Sequence, residues 1–137
     1  MKKVVLDTNV LISAFLMDGG NENAILRKAL KGEFKIYASE CMLKEFRVVM
    51  SRPKFGYTQD MVDEACQAVR AASVLVSPKS VVAVIKEDPA DNRVLECALE
   101  AEADCVVTGD QDLLRLGSYK GVRIFNGAEF VRHIGGN

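Results

Sequence analysis

This sequence of 137 residues reads as an α/β domain, a parallel sheet with helices on both of its faces. Three observations lead there. Apolar runs of four or five residues alternate with longer stretches of helical periodicity, the order expected of repeated strand–helix–strand crossovers. Runs such as "KVVL" and "CVVT" are apolar almost throughout, as strands covered on both faces are. The length suits one domain, residues 1–137, able to bury roughly 68–70% of its unfolded surface without a disulfide or structural metal.

In chain order, the first strand, Lys3–Leu6, runs straight into Asp7, and a helix is expected over Val10–Leu16. "MDGGNEN" reads as a loop, a candidate mobile flap. A helix over Asn23–Lys31 leads to a strand at Phe34–Ala38, then helices at Glu40–Ser51 and Gln59–Ala72 and a strand at Val74–Ser77. Val81–Ile85 is either a further short strand or part of an extended connection. "DPAD" opens the helix Pro89–Glu102, with Asp88 at the cap, Pro89 in the first turn and Asp91 favouring the helix dipole. The strand Cys105–Thr108, the helix Gln111–Leu116, the strand Val122–Phe125 and the helix Ala128–His133 complete the order, and the final "GGN" is loop. There is no internal repeat, low-complexity tract or linker.

Apolar residues make up 49% and charged residues 27%, the composition of an ordinary soluble domain. The net charge of −1 gives no sign of a nucleic-acid partner, so any such partner must be held by a local patch or through metal ions. Cys41, Cys66, Cys97 and Cys105 are widely spaced among apolar residues and form no C-x-x-C pair, which predicts buried free thiols in a reducing compartment. Only three apolar residues separate the N-terminal lysines from Asp7, too few for a signal peptide, and no run approaches the ~18 residues of a membrane span. The expected location is the cytoplasm, with no membrane partner.

The acids carry the chemistry. Asp7 and Asp110 each follow an apolar strand and precede a helix, and each taken singly reads as a helix cap. If the first and fourth strands are neighbours, the two converge outside the carboxyl ends of the sheet, where ligands bind in open parallel sheets. Asp91 shares a helix face with Val94, Leu95 and Ala98, the face that packs on the sheet. Glu45 lies mid-helix among Cys41, Met42, Val48 and Val49, where no cap or dipole requires an acid. A buried carboxylate there must be paired, protonated or bound to metal. Asp112 is a fifth candidate. If these acids meet, their repulsion raises and couples their pKa values, and a hard divalent cation, Mg²⁺ or Mn²⁺, relieves it. No Cys/His set has zinc spacing, and the lone histidine, His133, reads as a surface or packing residue.

"LDTNVLIS", the mid-helix "LKEF" and "DPADNRVLECALEAEADCVVTGDQDLL", in this order, resemble the PIN-domain nucleases, most of all the toxin components of bacterial and archaeal toxin–antitoxin pairs. "DTN" and "TGD" are weak alone; the ordered combination is specific and covers nearly the whole chain, although Val74–Ile85 matches nothing diagnostic. The resemblance implies a three-layer α/β/α fold with about five parallel strands and an acidic pocket at their carboxyl ends. Asp7, Glu45, Asp91 and Asp110 match the family's metal-binding acids. Asn9 and Thr108 match the polar residues that orient them, and Asp112 a position often acidic.

The activity so implied is Mg²⁺- or Mn²⁺-dependent hydrolysis of phosphodiester bonds in single-stranded RNA. Lys44, Arg47, Arg52 and Lys54, or Arg27, Lys28, Lys31 and Lys35, could track phosphates, although either set equally suits a solvated helix face. Implied partners are an antitoxin that inserts a basic side chain among the acids and a second copy of the chain. Met61, Val62 and Val69 are candidates for that contact or for the core. One alternative is a PIN-like module that binds RNA or a partner without cutting. Another is a phosphoacceptor receiver domain, which Thr108 would suit, but "VRIFNG" lacks the lysine such a domain carries after its last strand, and Glu45 would have no role.

Overall fold

The computed structural model describes residues 2–16 and 19–135. Its elements are β1 (Lys2–Leu6), α1 (Thr8–Leu16), α2 (Gly20–Leu30), β2 (Phe34–Ser39), α3 (Glu40–Met50), a 3₁₀ turn (Pro53–Phe55), α4 (Gln59–Ala72), β3 (Ser73–Val76), α5 (Pro89–Ala101), β4 (Cys105–Val107), α6 (Gln111–Leu116), β5 (Ser118–Tyr119), β6 (Val122–Phe125) and α7 (Gly127–Gly135). The strands form one sheet in the order β3-β2-β1-β4-β6-β5. All neighbours are parallel except β5 and β6.

The sixth strand is the departure from the expected five. β5 is two residues long, too short to stand out as an apolar run. It folds back on β6 through Lys120 and Gly121, both at positive φ (48° and 87°). That is the backbone of a two-residue hairpin whose twist matches its strands.

Side-chain alternation along the strands sets the three layers. Val4 and Leu6 face a core built with α1, α2, α3, α4 and α7. Val5 and Val106 face the opposite core, built with α5 and α6. Polar caps start two of these helices: Ser39 accepts from the Met42 N–H of α3 (3.3 Å), and Thr58 from the Met61 N–H of α4 (3.2 Å).

Some expectations change here, and open alternatives are decided. α2 already begins at Gly20, so residues 20–23 are helical rather than part of a flap; Met17 and Asp18 lie outside the described residues. Val81–Ile85 is an extended connection without strand pairing. Val62 and Val69 are buried in the core, leaving only Met61 of that trio on the surface. Cys97 and Cys105 are buried, and burial pushes both thiols up to about 12. Cys66 is half-buried, and Cys41, in the first turn of α3, is exposed.

Phe46 on α3 is fully buried whereas Val48, two residues on, is 58% exposed. Phe46→Ala is expected to cost about 3–5 kcal/mol in urea unfolding followed by circular dichroism, and Val48→Ala no more than about 0.5 kcal/mol.

Candidate active site

β1 and β4 lie side by side, Leu6 paired with Val107, and the Asp7 N–H donates to the Val107 carbonyl (3.0 Å). β2 and β3 extend the sheet to one side of this pair, β6 and β5 to the other. The gap above the pair is therefore the switch point of the sheet, where a parallel α/β fold opens a crevice.

Two residues beyond each strand supply the first polar contacts. Thr108, with no exposed surface, donates its hydroxyl to Oδ2 of Asp7 (2.7 Å) and accepts the Asp110 N–H (3.0 Å). The other Asp7 oxygen, Oδ1, accepts the Thr8 N–H (2.7 Å). Burial raises the Asp7 pKa; these two hydrogen bonds oppose it, and the charges of Asp110 and Asp88 add to the rise. Asp110 caps α6, accepting the N–H groups of Asp112 (2.8 Å) and Leu113 (3.3 Å) through Oδ1.

α5 delivers Asp91 from its first turn. This carboxyl is 5% exposed, and its Oδ2 has no hydrogen-bond partner among the described residues. Burial, followed by the charges of Asp110, Asp7 and Asp88, pushes it up to about 7. Asp88, one turn earlier, caps the same helix by accepting the Ala90 N–H (3.1 Å). Carboxylate oxygens of Asp88, Asp91 and Asp110 lie within 4.8 Å of one another. Sequence reasoning missed Asp88 as a site residue because the cap explained it fully. The available signal was its i, i+3 relation to Asp91, which stacks the two acids on one side of the first turn.

Glu45 reaches the same cleft from α3, beside Met42 and Val49. It is half-buried rather than buried, and it makes no ion pair among the described residues. The cleft has a volume of ≈ 180 Å³ and is lined by Asp7, Asn9, Glu45, Asp88, Asp91 and Asp110, with Arg52 and Arg93 also on its wall.

The other expected site residues divide between the cleft wall and the surface around it. Asn9 lines the cleft and makes no side-chain hydrogen bond to an acid among the described residues; the Thr8 N–H, at the start of α1, bonds Asp7. Asp112 is off the cleft and paired with Arg115, one helical turn away. Arg47 is bound to Asp63 on α4 (2.8 Å), and Lys54 lies over the Phe55 ring (5.2 Å). Lys44 is exposed beside Arg47, outside the cleft. Of those four cations only Arg52 lines the cleft, and Arg27, Lys28, Lys31 and Lys35 are not on its wall. His133 packs beside Phe125, with ring centres 5.0 Å apart.

An all-oxygen donor set with one buried, unpartnered carboxylate oxygen fits a hard divalent cation. No Cys/His group of metal-ligating geometry stands beside it among the described residues.

Comparison with known proteins agrees with this architecture. A family model described as PIN domain matches residues 3–112. The uncharacterized protein MJ1680 of Methanocaldococcus jannaschii is 31% identical over 117 residues, 83% of this chain and 74% of that protein. Among solved structures, PAE2754 from Pyrobaculum aerophilum superposes with a TM-score of 0.65 at 14% identity, covering 99% of this chain and 91% of that one. VapBC2 from Rickettsia felis, solved bound to a DNA fragment from their promoter, gives 0.61 at 13%, covering 90% and 98%. FitAcB from Neisseria gonorrhoeae gives 0.56 at 15%, covering 91% and 98%. At these identities the structures share the fold.

The raised Asp91 pKa has a defined sign for stability. Between its unfolded value of 3.8 and about 7 the folded chain holds a proton that the unfolded chain has released, so the Asp91 contribution falls as pH rises through that window. In cation-free buffer, Asp91→Asn is expected to melt close to wild type near pH 4 and above it at about pH 8. An offset equal at both pH values would contradict this assignment.

Proposed function

The chain belongs to the PIN-domain family, and from that premise we propose that it is a metal-dependent endoribonuclease, cutting single-stranded RNA in the cytoplasm as the toxin of a toxin–antitoxin pair. The observation that carries this reading is the convergence of Asp7, Glu45, Asp88, Asp91 and Asp110, from separate elements, on one cleft at the switch point of the sheet.

Asp88, Asp91 and Asp110 would hold Mg²⁺ or Mn²⁺ directly, with Asp7 as a direct or water-bridged ligand. Such an ion, when bound, makes its water acidic enough to serve as a nucleophile at neutral pH and offsets charge on the phosphate. Thr108 fixes the orientation of Asp7, and the buried surroundings strengthen every charge interaction in the cleft. Glu45, across from α5 and without an ion pair among the described residues, either holds a second ion or orients the attacking water. Arg52 lines the cleft without an ion pair among the described residues, which supports it as a contact for an RNA phosphate. Arg93 is less available, since Glu96 holds its guanidinium at 2.8 Å. An antitoxin would close the cleft with a basic side chain. A second copy of the chain is a further expected partner, with Met61 open to such contact.

Wild-type protein with Mn²⁺ or Mg²⁺ is expected to cleave a mixed RNA pool, and chelation to stop it. Asp7→Asn and Asp110→Asn should each lower the rate roughly 100-fold or more. RNA that is bound but left uncut alike by wild type and variants would identify a silent binding module instead. Arg52→Ala should raise KM more than it lowers kcat and reduce the salt dependence of RNA binding by about one phosphate contact.

A further inference from the structure

Between β3 and α5 the chain runs through residues 77–88 without regular structure, yet Val82 and Ile85 are buried. Side chains of α5 satisfy the backbone of this strap. Glu100 accepts the Lys79 N–H (3.1 Å), Glu96 accepts the Val82 N–H (2.9 Å), and Arg93 donates to the Val82 carbonyl (3.1 Å). The last link is different in kind. Asn92, 3% exposed, accepts the Ile85 N–H through Oδ1 (2.9 Å) and donates through Nδ2 to the Ile85 carbonyl (2.7 Å). It grips both polar groups of one residue, as a neighbouring strand would.

This pair of hydrogen bonds closes a short loop, and Asp88 and Asp91 both lie inside it. Asp88 is exposed and carried on the exposed residues 86–89; its cap bond to the Ala90 N–H (3.1 Å) and its carbonyl bond to the Asp91 N–H (3.0 Å) tie it to α5, and the closure at Ile85 fixes the segment that leads into it against swinging away from the charges of Asp91 and Asp110. Asp91, buried with an unpartnered oxygen, cannot move with it, because the helix face around it is packed on the sheet. With the cation-binding reading of the cleft as its basis, we propose that Asn92 is a positioning residue: by clamping Ile85 it holds the Asp88 carboxylate in the cation site against the repulsion of its neighbours. Asn92 touches neither cation nor substrate; it acts through the register of the loop.

Mn²⁺ affinity, measured by calorimetry on the full chain, tests the clamp. Asn92→Ala should weaken Mn²⁺ binding roughly 10–100-fold, the range of ligand-orienting partners. A glycine inserted between Lys86 and Glu87 keeps both hydrogen bonds but slackens the loop, and should weaken binding to a similar extent even where Asn92→Ala fails to fold. Adding Asp88→Asn, which preserves the helix cap, to either variant should weaken binding no further, since the two changes remove one interaction. Glu100→Ala, which cuts the strap bond farthest from the acids, should leave Mn²⁺ affinity unchanged. Wild-type affinity in the insertion variant overturns the clamp, as does full additivity with Asp88→Asn or an equal loss in Glu100→Ala. Wild-type protein that takes up no Mn²⁺ overturns the clamp together with the cation reading; uptake by wild type that is lost in Asp7→Asn but kept in Asn92→Ala overturns the clamp alone.

Discussion

The hydroxyl of Thr108 joins the two halves of the molecule at the point where they meet. One half, built on β1 to β3, carries Asp7 just beyond β1, its strand at the seam; the other, built on β4 to β6, carries Asp110 three residues beyond the end of β4. Thr108 receives the backbone of Asp110 and gives its own proton to Asp7. A buried carboxylate otherwise costs several kcal/mol, so this neutral donor is what lets an acid occupy the seam without an ion pair. The positions of the other acids follow from that seam, since α5 packs across β1 and β4 and presents its first turn to it.

The cleft is assembled from groups that serve two ends at once. Asp110 and Asp88 cap the helices that follow them and also face the shared space. Capping uses one oxygen of each and leaves the other available, so a cap and a ligand are compatible rather than competing descriptions. Asp91 has no such partner and bears the largest electrostatic strain. Near neutral pH its burial lowers the stability of the fold.

How much of this was legible in the sequence depends on the range of the interaction. The strand–helix alternation, the acids beyond "KVVL" and "CVVT" and the inward acid of α5 are local patterns, and they are where the periodicity puts them. Residues whose roles are set by distant or competing partners were not legible. Arg47 finds Asp63 only because α3 packs on α4. Asp112 turns to Arg115 on its own helix, and the Thr8 amide, beside Asn9, bonds the Asp7 carboxylate. Asp88 was hidden by a sufficient local explanation. β5 has too few residues to carry a pattern and exists because a tight turn lets it pair with β6.

The four thiols are chemically unequal. Burial keeps Cys97 and Cys105 protonated well beyond neutral pH, and it also raises the half-buried Cys66. Cys41 is exposed at the mouth of the acidic cleft, one helical turn from Glu45. Since thiolate character and access govern alkylation, a maleimide dye should mark that one position first. The native chain thereby offers an optical reporter of whatever enters the cleft, without any engineered attachment point.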